Sequence, residues 1–98
     1  MALKITKNQG IFEIRGSIIA ENAQSLHHHF EKLLFTSDKV ILCMDKVKKI
    51  DKSGVSVLTK LFRNAVENNK IFYIIGKQNS KVKNAFGNVS YILRNDYV

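Results

Sequence analysis

Few side chains in this chain are of a type that does chemistry. They are Asp45 and Asp51, the lone Cys43, the run His27-His28-His29, and Ser53 just after Asp51. Two carboxylates close in sequence could share acid–base work. No histidine is expected beside them, however, and an acid–base pair needs partners within hydrogen-bond reach. No Ser-His-Asp or Cys-His arrangement is suggested, and the glycines fit neither G-x-G-x-x-G nor a P-loop. Cys43 lies inside the apolar run Val40-Ile41-Leu42-Cys43-Met44, the setting of a buried small side chain rather than a reactive thiol. The histidines resemble metal ligands only at first glance. Consecutive helical residues point about 100° apart, whereas two ligands on one helix need i,i+3 or i,i+4 spacing. The run reads as a solvated helix flank. No catalytic residue, cofactor or metal is assigned, and no enzyme is expected.

Charge is the broader signal. Sixteen Lys and Arg against eight Asp and Glu give a net charge of +8, which favours acidic partners: nucleic acid, an anionic membrane or an acidic protein face. It does not choose among them. The lysines concentrate locally at Lys46, Lys48, Lys49 and Lys52, next to the turn Ile50-Asp51-Lys52-Ser53-Gly54-Val55. Asp51 sits where an N-cap should, and a helix opening offers free N–H groups and a positive dipole end. This junction is where function is expected.

The elements that must position the turn follow from periodicity. Val40 to Met44 is short and continuously apolar, as in a strand buried on both faces. Ser53 to Asn68 reads as a helix, with Val55, Leu58, Leu61, Phe62, Ala65 and Val66 on its apolar side. Before these, Leu3–Lys7 and Ile11–Ile18 alternate as strands around the turn Asn8-Gln9-Gly10, an antiparallel hairpin in which Gly16 marks a bulge. A helix is expected from about Ala23 to Phe35 with Asn22 as its cap. After Asn68-Asn69, Lys70–Ile75 is a strongly apolar strand, Ser80–Phe86 a short helix ending at Gly87, and Val89–Leu93 a weaker last strand. The order predicts one α/β domain over residues 1–98, a mixed sheet of four to five strands with a parallel centre, packed by about three helices. One cysteine excludes an internal disulfide. With no signal-like or spanning run, a cytoplasmic location is expected.

Two ungapped stretches resemble the STAS domain, the fold of bacterial anti-sigma factor antagonists. Gly16 to Leu26 is similar to the family's glycine, leucine and first-helix pattern. Val40 to Leu61, with its apolar strand, a loop centred on Val47 and Ile50-Asp51-Lys52-Ser53-Gly54-Val55, resembles the stretch that carries the signature I-D-S-S-G-[LV]. The resemblance implies a switch without catalysis. A partner kinase that is also an anti-sigma factor phosphorylates the serine after the signature aspartate, and the modified antagonist lets go. The added charge, about two units at a helix N-terminus, would change the docking face without refolding the domain.

This chain carries Lys52 at that acceptor position, so Ser53 is the only nearby phosphorylation candidate. Ile19 and Cys43 also replace residues that are commonly polar or acidic in the family, and Val98 falls about where a final family helix would start. Asp51, Lys52, Ser53, Gly54, Val55 and Ser56, with Ile19 and Glu21 from the loop Ser17–Asn22, are expected to form one partner-binding face. Both segments follow strands expected to be neighbours and so open on the same edge of the sheet. Charge at Lys48 and Lys49 would tune that face. The expected partner is a protein, an anti-sigma factor or serine kinase, with no small-molecule substrate. The alternative is an ATPase subunit of a membrane-associated ABC transport complex, with peripheral membrane association. Nucleic acid is the weakest reading, resting on charge alone. A tryptophan at Gly54 is expected to block docking and leave the fold intact.

Overall fold

The computed structural model describes residues 3–96. Strands β1 (Leu3–Asn8) and β2 (Ile11–Ile18) form the predicted hairpin, turning through Gln9 and Gly10 at positive φ of 53° and 82°, the primed geometry that matches strand twist. Helix α1 (Ala20–Thr36), strand β3 (Lys39–Ile50), helix α2 (Lys52–Glu67), strand β4 (Ile71–Ile75) and helix α3 (Ser80–Phe86) follow. A 3-10 segment (Gly87–Ile92) then leads into β5 (Leu93–Arg94). The sheet order is β1-β2-β3-β4-β5, antiparallel for the first pair and parallel for the other three. This is the mixed α/β sheet with a parallel centre that the element order predicted.

One side of the sheet, through Ile14, Leu42, Met44, Phe72 and Ile74, shares a single core with Leu26 and Phe30 of α1 and Leu58 and Leu61 of α2. Each such side chain contributes about 1.5–3 kcal/mol relative to leaving it in water. The other side carries Glu13, Arg15, Cys43 and Tyr73, all at least partly exposed. There Glu13 pairs with Arg15 at 2.9 Å and with Lys46 at 3.6 Å. The hydrogen bond from Arg15 holds its carboxyl below the usual carboxylate range.

Four local expectations are corrected. First, β3 does not stop at Met44 but runs twelve residues to Ile50. Its second half pairs with β2 as Arg15↔Lys46, Gly16↔Val47, Ser17↔Lys49 and Ile18↔Ile50, with register shifts on either side of Arg15–Gly16. Those bulges turn the buried positions into Met44, Val47 and Ile50, a spacing of three that hides a strand from a search for period two. Gly16, at φ 92°, supplies one irregularity, as its place in β2 suggested. Second, α1 begins at Ala20 and its cap is Ile19, so Ser17–Asn22 is not a loop. Third, Val66 is 60% exposed and Val57 only 8%. At about 100° per residue the buried arc of α2 runs from Val57 through Leu61, Gly54 and Ala65 to Leu58, and Val66 lies beyond its edge. Fourth, residues 89–92 are 3-10, and only Leu93–Arg94 reach the sheet. Asn69, at φ 58°, follows α2 in the left-handed form expected of it.

Candidate functional site

The signature turn is organised by one carboxylate. Asp51 Oδ1 accepts from the backbone N–H of Gly54 at 3.2 Å, the predicted N-cap of α2. Its Oδ2 accepts from the N–H of Ala20, the first residue of α1, at 3.1 Å. The Asp51 N–H in turn donates to Ile18 O at 3.1 Å. One side chain thus satisfies an otherwise free donor at each of two helix openings, where negative charge is also favoured by both dipoles. Asn22 secures the approach to α1: its Oδ1 accepts from Ile19 N at 3.0 Å and its Nδ2 donates to Ser17 O at 2.9 Å. Asn22 was expected as the cap itself. It lies three residues inside the helix and bonds back to the cap backbone, one half of a capping box.

Gly54 closes the assembly. A Cβ placed there would lie 2.7 Å from Ile18 Cγ2 and 2.8 Å from Ile50 Cγ1. Glycine is therefore what lets α2 rest on the ends of β2 and β3, and the residue is buried. Its part in the site is to permit this approach and to donate its N–H, not to present a contact surface. This geometry leaves no room for an indole, so Gly54→Trp is not compatible with the intact fold expected from the sequence.

Around this frame the structure brings together the residues singled out in the sequence. Glu21, Lys52 and Ser56 are exposed, and Ile19, Ser53 and Val55 are half-buried. Lys52 is the first residue of α2 and Ser53 the second. Among the described residues no carboxylate forms an ion pair with Lys52, so its charge is set against the positive end of the dipole beside the capping Asp51. Lys52→Ser is accordingly expected to raise stability by about 0.3–1 kcal/mol or leave it unchanged. Thermal melts at low and high salt check this, and a loss above about 1.5 kcal/mol would mean that an acidic group holds the lysine.

The four lysines are not equivalent. Lys46 is engaged by Glu13, whereas Lys48 and Lys49 are both exposed between the buried Val47 and Ile50, Lys48 being the extra residue of the bulge. Lys48 lines an open cleft of about 800 Å³ with Lys4, Arg15, Lys46 and Lys81, against the single carboxylate of Asp45. Cys43 is half-buried rather than buried, its thiol donating to Asp45 Oδ2 at 3.7 Å. Burial pushes this thiol up, and the charge of Asp45 adds to the rise. It is therefore protonated and a poor nucleophile near neutral pH.

The sequence predicted that the two segments open on the same edge of the sheet, but not the second partner of Asp51, the N–H of Ala20, because nothing in either segment announces a bond between them. Sequence reasoning also missed Asn79. That residue caps α3 by accepting from Lys81 N and Val82 N, and its Nδ2 lies 3.0 Å from Met44 O and from Val47 O. The capping half was legible, since Asn directly precedes a predicted helix.

Comparison with known proteins identifies the class. The STAS domain family model matches residues 1–90, and the chain belongs to that family. Among solved structures, it is similar to the anti-sigma factor antagonist SpoIIAA in its unphosphorylated form, with a TM-score of 0.74 at 13% identity over 98% of this chain and 89% of that one. The Bacillus cell fate determinant SpoIIAA in the phosphorylated form gives 0.68 at 14% identity, over 98% and 92%. An anti-sigma factor antagonist from Mycobacterium paratuberculosis gives 0.63 at 12% identity, over 88% and 77%. No curated protein sequence matches the chain. Among the described residues no helix is long and apolar enough to cross a membrane.

Proposed function

We propose that this chain is a non-catalytic interaction module that docks on an anti-sigma factor or serine-kinase-type protein through the first turn of α2 and the opening of α1. The observation that carries the reading is the double hydrogen bonding of Asp51, to Gly54 N and Ala20 N. It fixes two helix openings side by side at the carboxyl ends of β2 and β3, where α/β folds usually place recognition. Lys52, Ser56 and Glu21 are exposed on that edge. The family membership supports a protein partner, and the structural likeness to anti-sigma factor antagonists supports this kind of partner over an ATPase subunit.

Lys52 makes the face constitutive in this reading. Lysine is no serine-kinase substrate, and Ser53 is one residue along the helix, rotated about 100° from the acceptor position. Incubation with the cognate kinase followed by mass spectrometry is expected to find no stoichiometric phosphate on Ser53; its presence there would restore a switch.

Docking itself is tested by recovering the partner in a pull-down and measuring binding kinetics of Lys49→Glu, Lys48→Glu and Ser56→Trp. Ser56 replaces Gly54 as the site of the bulky probe, because it is exposed and its substitution spares the core. Ser56→Trp is expected to weaken binding at least tenfold. The charge reversals are expected to slow association about two- to tenfold at low salt and less at high salt, since exposed charges steer encounter and are screened. Wild-type kinetics in all three variants would place the docking face elsewhere.

A further inference from the structure

The histidine run has a ligand partner that its own spacing does not reveal. At about 100° per residue, Glu31 stands four residues beyond His27 and three beyond His28, roughly 40° from the first and 60° from the second. It therefore lies between them, one turn further along α1. In the structure a ligand atom from each of His27, His28 and Glu31 comes within 4.8 Å of the other two. His28 and Glu31 are exposed and free to swing, and His27 is half-buried. The third histidine goes elsewhere: the His29 ring meets Phe30 edge-on at 4.9 Å and Phe12 at 6.5 Å.

We propose that His27, His28 and Glu31 form a binding site for one divalent transition-metal ion of the Zn²⁺ or Ni²⁺ type on the flank of α1. Two imidazoles and a carboxylate suit such ions and not Ca²⁺ or Mg²⁺, which take oxygen ligands. Around an ion bound at about 2.0–2.2 Å the donors must close to roughly 3–3.5 Å of one another, a movement of about an ångström for long, solvent-facing side chains. The Nδ1 of His27 is buried with no hydrogen-bond partner among the described residues, so an ion approaching from solvent meets the ring at Nε2. It also sets the strength of the site. Ligating histidines ordinarily donate the second ring N–H to an acceptor, and lacking one costs about 10–100-fold in affinity. With three protein ligands on one helix and water completing the shell, binding is expected to be about 10–100-fold weaker than at a comparable site whose histidines keep their second-shell acceptors. The site is independent of the docking reading, since it uses none of the same residues.

The probe is Zn²⁺ titrated calorimetrically into untagged protein, with the imidazole resonances followed by NMR. One ion per chain is expected, with His27 and His28 resonances moving and those of His29 still. His28→Ala and Glu31→Gln, both at exposed positions, are expected to weaken binding tenfold or more and about fivefold or more. His29→Ala and Cys43→Ser are expected to stay within twofold of wild type. No saturable binding up to about 1 mM overturns the proposal. So does binding that survives His28→Ala and Glu31→Gln but is lost with His29→Ala or Cys43→Ser.

Discussion

Gly54→Trp is expected to yield a chain with no cooperative melting transition, and so to lose docking only as a consequence of losing the fold. Even the first carbon of a side chain at this position would meet Ile18 Cγ2 and Ile50 Cγ1 well inside contact distance. Both isoleucines belong to the buried set that seats α2 on the sheet. An indole would have to push α2 off the strand ends and expose much of the face that buries Val57, Leu58 and Leu61. Gly54→Ala grades the same effect. Overpacking costs about 1–3 kcal/mol, while helix propensity returns up to about 1 kcal/mol, for a net loss of about 0–2 kcal/mol. Circular dichroism melts of both variants decide the matter. A Gly54→Trp domain that melts like wild type would mean that the helix seat has room that the geometry denies.

Asp51→Ala should cost about 2–4 kcal/mol, since it removes an ionised acceptor from two backbone donors at once. A lone cap is worth about 1 kcal/mol, so the excess measures the second bond, to Ala20. Asp51→Asn keeps one acceptor oxygen and can serve only one helix, so about half the loss is expected. In a domain of this size the alanine change should lower Tm by about 10–20 °C. If the alanine variant loses no more than an ordinary cap, water replaces the bond to Ala20 and the two helix openings are not coupled through this residue. A double-mutant comparison with Asn22→Ala, which loosens the start of α1 independently, then separates the two contributions.

Much of this architecture could be read from the sequence because local and global preferences agree there. The hairpin alternation of Leu3–Lys7 and Ile11–Ile18, the apolar run Val40–Met44, and Asp51 ahead of an amphipathic stretch each have one physical reading, and the structure takes it. The misreadings fall where a long-range partner overrides a local rule. Lys46 to Lys49 look like a loop in isolation, yet β2 recruits them into a bulged strand. Ile19 is a poor cap by type, but the side chain of Asn22 and the carboxylate of Asp51, from a distant turn, take up the donors around it. The candidate site divides in the same way. The position of Lys52 at the helix opening was legible, whereas the burial of Gly54 under Ile18 and Ile50 was not, because a glycine carries no pattern of its own. Glu31 is silent beside the histidines for a simpler reason: consecutive histidines share no helix face, and only the acid one turn further on restores i,i+3 and i,i+4 spacing.

The length of β3 has one more effect, which concerns other molecules rather than this one. β4 pairs with β3 only from Lys39 to Cys43, so beyond that point, among the described residues, one margin of β3 faces no neighbouring strand. An uncovered run of carbonyls of this kind is a template on which a second chain can add a strand. Asn79 occupies that margin with a side-chain amide, spanning Met44 O and Val47 O from the loop that leads into α3. A single residue thereby stands in for a length of strand and makes the sheet a poor seed for its own polymerisation. Were Asn79 lost, the melting temperature would fall with the lost cap of α3, and turbidity at high protein concentration would report the bared margin.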